Sequence, residues 1–158
     1  MSILVYTENW DGKFKKLSFE LVSYAKALAD KLGTIVKALS VGNVADEELK
    51  KLGNYGASKV LNVADNRFES LDNKALAFAV TNAAKSEGAK IVVFAHNNLG
   101  KAIAPRVSVK LDGGLVTGVT ALPENTDPFV VKKKVFTNKA FANIEVHADI
   151  KILTLSLI

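Results

Sequence analysis

The densest group of side chains that could do chemistry is His96-Asn97-Asn98-Leu99-Gly100-Lys101. At the opening of a helix such a stretch presents free backbone N–H groups, a setting that favours an anion, and Lys101 would add charge. Asn97, Gly100 and Lys101 are therefore the candidate ligand contacts. Neither G-x-G-x-x-G nor the G-x-x-x-x-G-K-[ST] phosphate loop occurs, so the spacing is that of no standard nucleotide motif. The stretch equally serves as a polar turn that caps a helix, and this reading is favoured over direct nucleotide binding.

His96 as a general base would need a group to orient its imidazole and a nucleophile within reach. No serine lies in a nucleophile-elbow context and no acid is paired with His96 in sequence, so it reads as a hydrogen-bonding turn residue. His147 shares strand parity with Glu145 and Asp149 and reads as solvent-facing. Two isolated histidines do not compose a metal site. The chain has no cysteine, which removes disulfides, thiolate metal sites and a cysteine nucleophile. Asp46-Glu47-Glu48 suits the first turn of a helix, where carboxylates favour the macrodipole. Lys132-Lys133-Lys134 reads as the solvated face of an edge strand. Trp10 and Phe14 flank an early turn and read as an exposed contact patch. No catalytic residue and no metal ligand is assigned.

The elements that must hold these groups alternate over residues 1–112. Ile3 to Tyr6 is an apolar run suited to a strand buried on both faces. After Asp11-Gly12, Leu17, Leu21, Tyr24, Leu28 and Leu32 recur at helical spacing until Gly33 ends the stripe. Thr34 to Val41 reads as a strand. Asn43 is placed to cap a short helix that carries a Glu47/Lys51 pair and ends near Gly53 or Gly56. Val60 to Val63 is the next strand, Leu71 to Lys85 a helix closed by Gly88, and Ile91 to Ala95 the most strand-like run. A fourth helix reaches about Leu111, with Pro105 expected in its first turn or else kinking it. Strands separated by helices imply βαβ crossovers and a parallel sheet flanked by helices. Residues 113–158 change rhythm. Leu115–Leu122, Phe129–Phe136, Phe141–His147 and Ile152–Leu157 read as consecutive strands, an antiparallel extension of the same sheet, with a turn at Thr137-Asn138-Lys139.

At 158 residues, 49% hydrophobic and 23% charged, the chain is sized for one domain, residues 1–158. Its apolar runs are far shorter than the ~20 residues of a membrane span, and its first residues show no secretory signal. The net charge of +5 comes mostly from residues 89–158, which carry 9 basic and 5 acidic side chains. The lysines are scattered without aromatic interleaving, which argues against nucleic acid as a partner.

Several motifs, in order, resemble the N-terminal domain of electron transfer flavoprotein alpha subunits. Ile3 to Glu8 followed by Gly12-Lys13-Phe14-Lys15-Lys16 is similar to the family's opening strand and lysine-containing turn. Tyr55-Gly56-Ala57-Ser58-Lys59-Val60 resembles its YGADKV segment. Gly100 to Val107 resembles GKDLxPRxA, Asn138 to Ala142 stands where the family has GNAxA, and Lys151 to Leu155 where it has KVxTVR. The family's small hydroxyl residues before Gly-Lys are here His96-Asn97-Asn98-Leu99, and its glycine before Asn138 is Thr137. The resemblance implies a Rossmann-like fold of the adenine-nucleotide alpha-hydrolase type and a role as a scaffold domain that contacts a beta subunit. It implies a cytoplasmic carrier of electrons from flavin dehydrogenases to an acceptor. In the family FAD sits mainly in a C-terminal domain beyond the last strand, so FAD is expected there and none is expected on residues 1–158. The alternative is a stand-alone nucleotide-binding domain like universal stress proteins, with its site around Asn97, Gly100 and Lys101. A small hydrolase centred on His96 comes third.

Overall fold

The computed structural model describes residues 1–65 and 72–157. Its elements are β1 (Ser2–Tyr6), β2 (Asn9–Trp10), β3 (Lys13–Phe14), α1 (Lys16–Leu32), β4 (Ile35–Val41), α2 (Asp46–Asn54) and β5 (Ala57–Val63). Then come α3 (Asn73–Ser86), β6 (Ala89–Ala95), α4 (Asn98–Leu111), β7 (Gly114–Val119), β8 (Asn125–Thr126), β9 (Phe129–Val135), β10 (Ala140–Val146) and β11 (Lys151–Leu155). The main sheet has the order β10-β9-β7-β11-β6-β1-β4-β5, with β8 beside β9. Strands β7, β11, β6, β1, β4 and β5 are parallel. Strands β8, β9 and β10 are antiparallel to their neighbours. The expected antiparallel extension is thus present but comprises only these three. The last strand, β11, returns to lie between β6 and β7 as a parallel member.

The two faces of the sheet carry separate cores. Leu21, Val22, Ala25, Leu28 and Ala29 of α1 pack with Ile3, Val5, Val93 and Leu153 on one face. Leu76, Ala77 and Val80 of α3 and Ile103, Ala104 and Val107 of α4 pack with Leu4, Val92, Phe94 and Ile152 on the other. Strand β1 is buried along its whole length, as its unbroken apolar run predicts. Gly33 ends α1 in the left-handed conformation at φ 68, where the missing Cβ removes the steric penalty.

Several local expectations are corrected. The residue that caps α2 is Ala45, which offers no side-chain acceptor, rather than Asn43. Three carboxylates in its first turn serve the N-terminus instead. Lys51 pairs with Glu48 at 2.7 Å, one residue from the expected Glu47. Asp72 caps α3 through Lys74 N and Ala75 N; the expected start at Leu71 lies outside the described residues. Pro105 lies inside α4, past the first turn, because Asn97 starts the helix earlier than the proline suggested. Phe14 is buried in the core, leaving only Trp10 exposed. Lys132 to Lys134 sit on β9, which has β7 and β10 on its two sides, so β10 and not the lysine strand forms that edge.

Candidate functional site

In a parallel sheet, a crevice opens beyond the carboxyl ends of the strands where the order reverses. Here that point is between β1 and β6: β1 continues to β4 on one side, while β6 lies on the other. An open cleft of about 1250 Å³ occupies it. Its walls are residues following β1 (Glu8 to Gly12), β4 (Gly42, Asn43), β5 (Ala64, Asp65) and β6 (Asn97 to Leu99), with Asn73 and Leu76 of α3.

Asn97 is the hinge of the local structure. Its Oδ1 accepts from Gly100 N at 2.9 Å and its Nδ2 donates to Glu8 Oε1 at 2.9 Å. One side chain therefore caps α4 and ties it to the segment after β1. Gly100 is required for a steric reason, since a Cβ there would lie 1.8 Å from Ala95 O. Lys101 is exposed and, with Gly100, lies outside the cleft lining; of the three candidates only Asn97 is part of that wall.

The residues that most define the cleft were not among the sequence candidates. Asn9 donates through Nδ2 to Val41 O at 2.8 Å and accepts Gly12 N at 3.2 Å, fixing the β2–β3 hairpin against β4. Glu8, Asp11 and Asp65 carry carboxylates, and the described lining includes no lysine, arginine or histidine. Tyr6 lies beneath, its phenol held neutral by burial and by the Glu8 carboxylate. The rule that ligands gather at strand carboxyl ends would have pointed to Glu8 and Asn9, since both directly follow the first strand.

This arrangement is unfavourable to a phosphate. The Gly100 N–H at the start of α4 is already taken by Asn97, and Glu8 places negative charge beside that helix terminus.

His96 stands next to this cleft and faces another set of groups. Its Nδ1 lies 2.9 Å from Thr154 Oγ1, and that buried hydroxyl also accepts Gly118 N at 2.9 Å. The imidazole is held below its ordinary range by burial and by the ammonium groups of Lys101 and Lys133. Among the described residues no carboxylate orients it, so they do not compose a catalytic dyad. His147 is exposed, 3.7 Å from Glu145 Oε1. Among the described residues no three histidine, aspartate or glutamate side chains gather as a metal site. No described helix is long and apolar enough to cross a membrane.

Comparison with known proteins places this fold. The family model described as the electron transfer flavoprotein domain matches residues 3–157. An electron transfer flavoprotein subunit alpha of Syntrophomonas wolfei is 30% identical over 92% of this chain and 44% of its own length. The acryloyl-CoA reductase electron transfer subunit beta of Anaerotignum propionicum is 28% identical over 81% of this chain and 35% of its own. The electron transfer flavoprotein subunit alpha of Megasphaera elsdenii is 30% identical over 79% and 37%. A universal stress protein of Archaeoglobus fulgidus superposes with a TM-score of 0.46 at 15% identity, over 70% of this chain and 87% of that one, too loose a likeness to argue from. The chain spans less than half the length of the curated relatives it matches. With a family model covering residues 3–157, this chain belongs to the electron transfer flavoprotein domain family.

Proposed function

We propose that residues 1–158 form the N-terminal scaffold domain of an electron transfer flavoprotein alpha subunit. In this reading the domain contributes to contact with a beta subunit, in a cytoplasmic flavin-based carrier between dehydrogenases and an acceptor. The observation that carries it is the family match from residue 3 to 157. The cleft is consistent with the same reading: its described lining is acidic and holds no lysine, arginine or histidine, and the Gly100 N–H is taken by Asn97. FAD, which supplies the electron chemistry when bound, is assigned to a C-terminal domain and not to these residues. The domain acts as a carrier's scaffold and not as an enzyme, and neither nucleic acid nor a membrane is among its partners.

The test is direct. The purified chain, mixed with excess FAD and passed through gel filtration, is expected to emerge colourless. A stoichiometric flavin absorption band that survives the column would overturn the scaffold reading. A stand-alone nucleotide-binding role has one observation in its favour, the position of the cleft at the switch point. Calorimetry with ATP and AMP decides that: heat at submillimolar ligand, lost in Asn97→Ala, would replace the scaffold reading with a nucleotide site.

A further inference from the structure

A second group of polar side chains lies at the carboxyl end of the sheet, where β6, β11 and β7 finish side by side. His96 Nδ1 is 2.9 Å from Thr154 Oγ1, which leaves Nε2 as the ring nitrogen with no partner among the described residues. Gly118 stands at φ 72, and a Cβ there would lie 3.8 Å from Nε2, so the glycine keeps that edge of the ring uncovered. Lys133 reaches in from β9, where it lies opposite Val119, and its Nζ donates to Thr117 Oγ1 at 3.3 Å. That contact uses a lone pair of the hydroxyl and leaves its O–H able to donate elsewhere. Lys101 stands in the first turn of α4. Both ammonium groups lie near enough to bear on the imidazole.

Elsewhere the fold neutralises converging lysines from within. Lys37 and Lys59 share Glu87, Lys90 pairs with Asp149, and Lys132, the neighbour of Lys133, pairs with Glu124. Around His96 the described residues offer no such carboxylate. Lys101 and Lys133 have no ion pair among them, and Glu8, at the start of α4, is turned to the Asn97 amide. Like charges gathered without a counter-charge favour an anion from solution.

We propose that His96, Lys101, Thr117 and Lys133 form a binding site for a doubly charged oxyanion, the phosphate group of inorganic phosphate or of a phosphomonoester. The two ammonium groups match its two charges, while a protonated Nε2 of His96 and the Thr117 hydroxyl supply directional hydrogen bonds. FAD is a poor match, because each phosphate of its pyrophosphate bridge carries a single charge. The site is separate from the cleft, whose wall includes the Glu8 and Asp11 carboxylates, and it does not depend on the scaffold role. A bound dianion favours the imidazolium, so binding tightens as pH falls through the range where the ring takes up its proton.

The experiment follows the isotope-labelled chain by NMR in a phosphate-free buffer. Inorganic phosphate and ribose 5-phosphate are titrated separately at about pH 7.5, with chloride holding the ionic strength constant. The Gly118 amide and the His96 ring are expected to shift and to saturate, and the tighter of the two ligands identifies the source of the phosphate group. Lys101→Met/Lys133→Met should weaken binding at least about tenfold. Lys110→Met, in the last turn of α4, should leave it unchanged. A thermal midpoint no lower than that of the wild type verifies that each variant folds. Sulfate, whose two charges are constant across this range, serves for the pH titration. It should raise the midpoint of the His96 ring in the wild type and not in the double variant. Shifts that never saturate, or that saturate equally in the double variant, mean an adventitious ion only and overturn the site. Either result leaves the scaffold reading standing.

Discussion

At the scale of single residues, glycines separate what must be small from what is incidental. Gly100 is confined by Ala95 O, 1.8 Å from where a Cβ would stand. A backbone carbonyl cannot swing aside as a flexible side chain would. Gly100→Ala is therefore expected to destabilise by about 3 kcal/mol and to lower the thermal midpoint by roughly 6–12 °C. Gly53, inside α2 with nothing within 4 Å of its virtual Cβ, is the contrast. Gly53→Ala should stabilise by ~0.5–1 kcal/mol through helix propensity and a less flexible unfolded chain. Urea unfolding of both variants checks the pair, and equal effects would refute the steric account. The sequence drew attention to Gly100 as a possible ligand contact; the structure adds that its missing Cβ lets α4 approach the end of β6. The partner of Asn97 was not legible because Glu8 is 89 positions away, and no local pattern encodes such a contact.

At the scale of elements, local signals served where the determinant is local. The left-handed stop at Gly33, the apolar run of β1 and the turn at Thr137-Asn138-Lys139 follow from periodicity and turn chemistry, and the structure has all three. The placement of β11 between β6 and β7 is different. Ile152, Leu153 and Leu155 are buried on alternate faces. That apolar character, interrupted only by the buried Thr154, was the available sign of a central parallel strand. Phe14 shows the same limit, since its burial depends on α2. Buried Glu48 accepts Phe14 N at 2.9 Å and Lys51 Nζ at 2.7 Å, which pins the β2–β3 hairpin to α2. Glu48→Ala would leave the Phe14 N–H buried without a partner, at a cost of about 2 kcal/mol. Amide exchange at Phe14 should accelerate by more than exchange at sites in β1. Uniform acceleration would mean that Glu48 serves only global stability.

At the scale of the whole molecule, the shifted carboxylates and His96 act in one direction, and that makes the fold acid-sensitive. The Glu48 carboxyl is held low by its hydrogen bonds from Lys51 and from the Phe14 backbone N–H. Glu87, bonded by Lys37 and Lys59, is likewise held low, as is Asp149 beside Lys90. A carboxylate favoured in the folded state contributes stability that is complete above its unfolded pKa of ~4.3 for glutamate. That contribution is lost as pH falls through the lower folded value. His96 adds a loss at higher pH. Burial, then Lys101 and Lys133, keep its imidazole neutral in the fold. The unfolded chain takes up that proton below its ordinary pKa of ~6.5, and proton uptake favours unfolding. Thermal midpoints measured between pH 8 and pH 3 should therefore be level above about 7, fall gently from about 6.5, and fall again below about 4.3. His96→Gln should remove the first decline and spare the second, and Glu87→Gln should reduce only the second. A midpoint that rises as pH is lowered from 7 to 5 would contradict the neutral His96 and the basic surroundings that hold it so.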